Sequence, residues 1–216
     1  MLMGSMQGFL GWYMVKSGLV ERPDVSHYRL AMHLTTAFLT FAYTLWVALD
    51  LIYPHAKGIG AHWPSMKTAL RAGYVVLVIQ IIYGAFVAGL DAGWIHNHWP
   101  KMSDGLWIHE TVTQELRPIW KNFVEGKSGV QFVHRTLAYI VVALIGWISY
   151  LGFQKTREPR HRWALKSLLA LVGVQFILGV LTLLLQVPVA LGLAHQVVAF
   201  WLLANMTYTV HVFRHQ

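Results

Sequence analysis

Three histidines lie at equivalent positions in three long apolar segments of the 216-residue chain. His33, His134 and His195 each follow the start of a hydrophobic run by about two helical turns. Histidine is unfavourable in lipid and is rarely placed there without a partner. Neutral imidazoles that project from facing helices at one depth can hold a metal centre, including haem iron. These histidines therefore favour a haem-binding membrane protein. The alternative for each of them is a helix-packing histidine that is bonded to a neighbour.

The composition indicates a membrane domain. Hydrophobic residues make up 56% of the chain, charged residues make up 12%, and there is no cysteine. Soluble domains usually carry about 25% charged residues, and about 20 consecutive apolar residues can cross a bilayer as a helix. The absence of cysteine excludes disulfides, iron–sulfur clusters, thiolate haem ligands and thiol catalysts. The net charge of +8 is concentrated between the apolar runs, which indicates membrane orientation rather than nucleic-acid binding.

The apolar runs predict an all-α integral membrane protein with six transmembrane helices. Their approximate ranges are 1–15, 28–52, 68–90, 130–152, 163–187 and 190–212. The connecting segments 53–67 and 153–166 are rich in lysine and arginine, so we expect them to face the cytoplasm or the mitochondrial matrix. The three histidine-bearing helices then enter from the outer face, and their histidines share a depth of about 8–10 Å.

The segment 91–129 is long and lies on the predicted outer face. Its four tryptophans suit either an aromatic belt at the membrane interface or a lid over a cofactor. His96, His98 and His109 also lie in this segment, but their spacing matches no closed zinc site. We expect these three histidines to be polar residues at the interface.

A weak internal repeat relates the two ends of the chain. Gln7, Leu10 and Gly11 match Gln175, Leu178 and Gly179, and each set precedes a histidine-bearing helix. Gln80 has a similar position in its own helix, and we expect all three glutamines to bond across the bundle. The repeat predicts two pseudo-symmetric four-helix bundles. Residues 68–216 would form a complete C-terminal haem-binding bundle, and residues 1–67 would form the second half of an N-terminal bundle.

Several motifs together resemble those of the heme A synthase family, in its proteobacterial and mitochondrial branch. They are GWYMVKSGL (11–19), VSHYRLAMHL (25–34), GAFVAGLDAG (84–93), Pro100-Lys101-Met102, VQFVHR (130–135) and LAHQ (193–196). The resemblance implies eight transmembrane helices and an oxidoreductase of cytochrome oxidase assembly. That enzyme oxidises the C8 methyl of haem O to the formyl of haem A by successive hydroxylations, in the bacterial cell membrane or the mitochondrial inner membrane.

The resemblance also implies roles for individual residues. His134 and His195 match the axial ligands of a resident haem b, and His33 matches one of two histidines at the substrate haem. The second of those histidines, and a catalytic glutamate one turn before it, lie in a helix ahead of this sequence, so no catalytic residue is assigned. The chain is therefore expected to be an N-terminally truncated member. Arg135, next to His134, is a candidate to pair with haem propionates or to reach the lipid headgroups.

The implied partners are haem O, membrane lipid, an unidentified electron donor, and haem O synthase or oxidase assembly proteins, with no nucleic acid. One alternative is a membrane haem b electron-transfer protein without hydroxylase activity. Another is a helical transporter whose histidines relay protons. The sequence disfavours the transporter, because no acidic residue lies near the middle of a predicted helix and Asp50 is close to a helix end.

Overall fold

A computed structural model describes residues 2–18, 26–53, 64–103 and 105–214. This described part is helical and contains no β-strand, which confirms the predicted all-α class. Its α-helices are α1 (Leu2–Gly18), α2 (His27–Ile52), α3 (Pro64–Gly89), α4 (Thr111–Gln114), α5 (Lys127–Lys155), α6 (Pro159–Leu184) and α7 (Val189–Phe213).

Five of these helices are long and apolar enough to cross a membrane, namely α2, α3, α5, α6 and α7. They contain between 25 and 29 residues each, which marks a multi-pass membrane protein. The sixth helix that the sequence predicts, in 1–15, corresponds to α1, whose 17 described residues are fewer than those of the other five helices.

The helices α3, α5, α6 and α7 pack in a closed ring. In this ring α3 contacts α5, α5 contacts α6, α6 contacts α7, and α7 returns to α3. Large apolar side chains fill the centre, including Leu77, Ile148 and Leu203. The helix α2 packs outside the ring against α3 and α7, and α1 packs on α2. The ring uses the four long helices of 68–216, while the division of the chain into two bundles stays a prediction.

Polar contacts show which helix ends lie together. At one end of the bundle, His27 Nε2 lies 3.0 Å from the Val124 carbonyl, and the Asn97 amide donates to the Leu183 carbonyl at 2.9 Å. These contacts place the start of α2, the segments on either side of α4 and the end of α6 at the same end of the bundle. At the other end, Asp50 of α2 accepts a hydrogen bond from Arg214, directly after α7, and its Oδ1 lies 3.1 Å from Nε2 of His211. The helices therefore alternate in direction, as the sequence predicts.

The chain between α3 and α5 is a folded cap rather than an open loop. Short 3₁₀ turns at Ala92–Trp94 and Ile119–Phe123 flank α4. The Glu115 carboxylate accepts the backbone N–H groups of Lys127 and Ser128, each at 3.1 Å, in the first turn of α5. These N–H groups have no partner within the helix, and a negative charge at a helix N-terminus is favourable. The cap is thereby fixed to one end of the ring.

Candidate functional site

An apolar cavity of about 360 Å³ lies within the ring, below the cap. Small-molecule sites usually have volumes of about 300–1,000 Å³ and a few polar groups on mostly apolar walls. Residues from α2, α3, α5, α6, α7 and the cap line this cavity. Its polar side chains include Gln80, Asp91, Gln131, His134, Arg135, Gln175, Thr182, His195 and Gln196.

His134 and His195 both line this one cavity. His134 lies on α5 and His195 lies on α7. Since α5 and α7 occupy opposite corners of the ring, the two imidazoles reach the cavity from opposite sides. The Nδ1 atom of each ring is buried and has no hydrogen-bond partner among the described residues. Two such rings are suited to bind a metal centre that lies between them.

Each of the two imidazoles is in contact with a glutamine on the neighbouring helix. The Nε2 atom of Gln80 on α3 lies 3.5 Å from Nε2 of His134. The Nε2 atom of Gln175 on α6 lies 3.2 Å from Nε2 of His195. Both contacts join helices that are adjacent in the ring, so the glutamines do bond across the bundle as expected.

A glycine lies one helical turn after each of these glutamines, directly beside the imidazole. A Cβ atom at Gly84 would lie 3.3 Å from Cε1 of His134, and a Cβ atom at Gly179 would lie 2.9 Å from Cε1 of His195. The missing side chains leave room for each ring against the backbone of the next helix. The sequence does not show that these glycines lie beside the histidines.

His33 does not line this cavity, although Leu30 and Leu34 of the same helix do. Its imidazole faces α1, where Gln7 Nε2 lies 3.0 Å from the ring Nδ1. Gln7 also donates to the His33 carbonyl at 3.1 Å, and a Cβ atom at Gly11 would lie 3.0 Å from the ring. The structure therefore brings together two of the three histidines, and it places the third in a separate site with similar surroundings.

Arg135 lines the cavity and joins α5 to the cap. Its guanidinium donates to the carbonyls of His98 at 2.7 Å, Lys101 at 3.0 Å, Pro100 at 3.2 Å and His96 at 3.4 Å. The sequence offered a propionate partner or a lipid-headgroup contact for this residue, and it gave no signal for these backbone bonds. In the structure Arg135 holds residues 96–101 in place over one side of the cavity.

The four tryptophans of the cap are all exposed, at 59% for Trp94, 43% for Trp99, 63% for Trp107 and 58% for Trp120. Trp94 and Trp99 also line the cavity. The exposure of all four fits an aromatic belt at the membrane surface, and the position of Trp94 and Trp99 also fits a lid. Both interpretations that the sequence leaves open therefore stay predictions.

The histidines of the cap form a polar cluster. The His96 and His109 ring centroids lie 4.7 Å apart, and His96 Nε2 lies 3.0 Å from Ser128 Oγ. Burial and the proximity of His109 lower the pKa of His96. Within the described ranges, no group of three or more histidines and carboxylates is placed to hold a metal ion.

The helices and the cavity together define a multi-pass helical membrane protein with a histidine-lined site inside a four-helix ring. Comparison with protein families gives a more particular result. The profile described as "Cytochrome oxidase assembly protein" matches residues 1–207, and the chain belongs to this family.

Curated relatives of this chain carry the name Heme A synthase, which confirms the predicted family. This chain is 57% identical over 209 residues to the Heme A synthase of Flavobacterium johnsoniae, and the match covers 97% of this chain and 61% of the relative. The identity to the Heme A synthase of Flavobacterium psychrophilum is 55% over 211 residues, which covers 98% of this chain and 61% of the relative. The identity to the Heme A synthase of Rhodospirillum centenum is 40% over 213 residues, which covers 99% of this chain and 56% of the relative. The chain thus spans about 61% or less of the length of these relatives.

Proposed function

We propose that this chain is the haem b-binding part of a heme A synthase, with His134 and His195 as the two axial ligands. The full-length enzyme would convert haem O to haem A by oxidising the C8 methyl to a formyl group. The observation that carries the proposal is the placement of two imidazoles at opposite corners of one ring, facing one apolar cavity. The name of the relatives, Heme A synthase, supports the synthesis of haem A as the product.

The residues around the cavity fit a flat apolar macrocycle. Both imidazoles have a buried nitrogen without a partner in the described part of the chain, and Gly84 and Gly179 let the rings lie close against α3 and α6. His134 and His195 would hold the haem b, which would supply one-electron transfer when bound. The aliphatic walls exclude water, and the cap, held by Arg135, closes one side. These residues therefore serve an electron relay rather than oxygen activation.

Oxidation of haem O then requires a second site in the full-length protein, to which we assign His33 as a ligand of the substrate haem. His33 lies outside the first cavity and has an equivalent glutamine and glycine beside it. Arg135 is assigned to the haem b site because it lines the same cavity as His134. The proposal places the protein in the bacterial cell membrane or the mitochondrial inner membrane. There it would receive electrons from a separate donor and meet haem O synthase or oxidase assembly proteins.

A second candidate is a membrane electron-transfer protein that binds haem b and has no hydroxylase activity. The pair of histidine ligands favours it, because filled axial positions suit electron transfer by themselves. Haem O supplied to membranes that contain the full-length protein separates the two candidates. Formation of haem A, followed by chromatography of extracted haems, supports the synthase. A reducible haem b without haem A in membranes that carry the full-length protein would favour the second candidate.

The ligand assignment is tested by purifying the chain in detergent together with His134→Ala and His195→Ala. We expect the unmodified chain to show a low-spin haem spectrum and each variant to lose it. His109→Ala is the matched control, because His109 lies in the cap and does not line the cavity. The assignment is wrong if both ligand variants keep an unchanged low-spin spectrum.

A further inference from the structure

The same local arrangement occurs three times in this protein. Gln7 and Gly11, Gln80 and Gly84, and Gln175 and Gly179 each have the spacing Gln-x-x-x-Gly on α1, α3 and α6. In each case the glutamine amide nitrogen lies 3.0–3.5 Å from a ring nitrogen of the facing histidine. In each case a Cβ atom at the glycine would lie 2.9–3.3 Å from Cε1 of that ring.

Ordinary helix packing accounts poorly for this repetition. A glutamine is costly to bury in a membrane, and one glutamine in each of three helix pairs faces a histidine. Residues four apart lie on the same face of a helix, so the amide and the glycine meet the same edge of one imidazole, around Cε1 and its bonded ring nitrogens. The glycine leaves room for the imidazole against the neighbouring helix, and the glutamine amide contacts a ring nitrogen of that imidazole. The arrangement thus constrains both the position and the rotation of the ring.

In each glutamine–histidine pair at the cavity, some hydrogen-bonding atoms have no partner among the described residues. The Oε1 atoms of Gln80 and Gln175 are buried and have no partner among the described residues, and the same is true of Nδ1 in His134 and His195. The amide of glutamine offers two donors on one atom and an acceptor on the other. A neutral imidazole has one protonated and one unprotonated nitrogen, so an adjacent amide can select the tautomer.

We propose that Gln80 and Gln175 are positioning residues that hold His134 and His195 in the orientation and tautomer needed to ligate iron. The proposal rests on the proposed function, because it concerns the same two imidazoles. Polar groups that contact a ligand imidazole fix its tautomer and tune its basicity toward the metal. A neutral amide does so without placing a charge in a low-dielectric environment. Gly84 and Gly179 keep the ring against the neighbouring helix.

The test compares Gln175→Leu and Gln175→Glu, and the same pair at Gln80, in the purified haem-loaded chain. When an imidazole ligates iron through Nδ1, its Nε2 carries the proton, and the glutamine amide turned by 180° accepts that N–H through Oε1. Leucine removes this acceptor, so we expect a less basic imidazole and a higher haem midpoint potential. Glutamate is a stronger acceptor for a ring N–H, so we expect a lower potential. The midpoint potential is therefore expected to be highest in the leucine variant, intermediate in the unmodified chain and lowest in the glutamate variant. The g-values of the low-spin electron paramagnetic resonance spectrum should change as well.

The matched control is Gln154→Leu, which replaces an exposed glutamine of α5 that does not line the cavity and should leave potential and g-values unchanged. A role in packing alone would change haem content or thermal stability without producing the Leu, Gln, Glu order. The inference is overturned if the leucine and glutamate variants bind haem with the potential and g-values of the unmodified chain. The proposed function fails separately, if His134→Ala and His195→Ala leave the haem spectrum unchanged.

Discussion

Gly179 of α6 lies directly beside the imidazole of His195 on α7, with 2.9 Å between the position of an added Cβ and the ring Cε1 atom. Ordinary van der Waals contacts between carbon atoms are about 3.5–4.0 Å long, so a methyl group at this position must displace the ring. His195 faces the cavity, and its displacement changes the distance across the cavity to His134.

We expect Gly179→Ala to lower haem occupancy of the purified chain several-fold, measured as Soret absorbance per protein. Gly84→Ala should have a smaller effect, because its added Cβ would lie 3.3 Å from His134 Cε1. Gly173→Ala, also on α6, is the control, since a Cβ there meets nothing within 4 Å. Equal haem content in Gly179→Ala and Gly173→Ala would show that the close approach has no consequence for binding.

Replacement of Arg135 by Leu should loosen the cap. The guanidinium donates to four backbone carbonyls between His96 and Lys101, and hydrogen bonds from a charged group contribute about 1.5–3 kcal/mol each when they are well formed. The site is partly exposed, so we expect a total loss of about 2–3 kcal/mol rather than the sum.

Limited proteolysis measures this effect, as faster cleavage within residues 95–110. Arg162→Leu is the control, because Arg162 lies over the Phe153 ring at the other end of the bundle. An unchanged cleavage rate in Arg135→Leu would mean that other contacts hold the cap in place.

Asn122 is the most completely buried polar residue of the cap, at 0% exposure. Its amide donates to the carbonyls of Thr113, Leu116 and Ile119, and its Oδ1 accepts the Leu116 N–H at 2.7 Å. Asn122→Ala would leave several backbone groups buried without partners, and each such group costs about 1–3 kcal/mol. We expect a clear decrease in melting temperature, measured by circular dichroism. Gln114→Ala, at an exposed position of α4, should leave the melting temperature unchanged.

The stability of the cap should depend on pH through His96. Burial, followed by the proximity of His109, Arg135 and His98, lowers the pKa of His96 below 6.5, and Glu115 acts in the opposite direction. A histidine whose pKa is lowered by folding stabilises the fold fully above 6.5, and this contribution is lost as the pH falls below that value. Hydrogen exchange of the cap at matched intrinsic rates should therefore show less protection at lower pH. His96→Gln should weaken this dependence, and a cap equally protected on both sides of 6.5 would contradict the prediction.

The sequence predicts the helices and the main histidine pair because both depend on local and periodic signals. Apolar runs locate α2, α3, α5, α6 and α7 to within a few residues. The common depth of His134 and His195 follows from alternating helix directions and the rise of 1.5 Å per residue. Each of these inferences uses sequence distance within one helix, which converts directly into position along it.

Contacts between distant segments could not be obtained in this way. Asn122 and Arg135 bind carbonyl groups, which every residue carries, so no residue type marks their partners. The alignment of Gly84 and Gly179 with His134 and His195 depends on how α3 and α6 are rotated. The packing of α2 against both α3 and α7 likewise needs the three-dimensional arrangement.

The diagonal placement of α5 and α7 has a mechanical consequence. These helices are linked mainly through α3 and α6, so the spacing of His134 and His195 is set by two intermediate interfaces. A molecule that bonds to both imidazoles links α5 to α7 across the four-helix ring and opposes sliding of the helices at either interface. Its binding energy adds to the stability of the assembled helices. An unfilled ring would then be the more deformable one, and loading would stiffen helices that never touch the ligand.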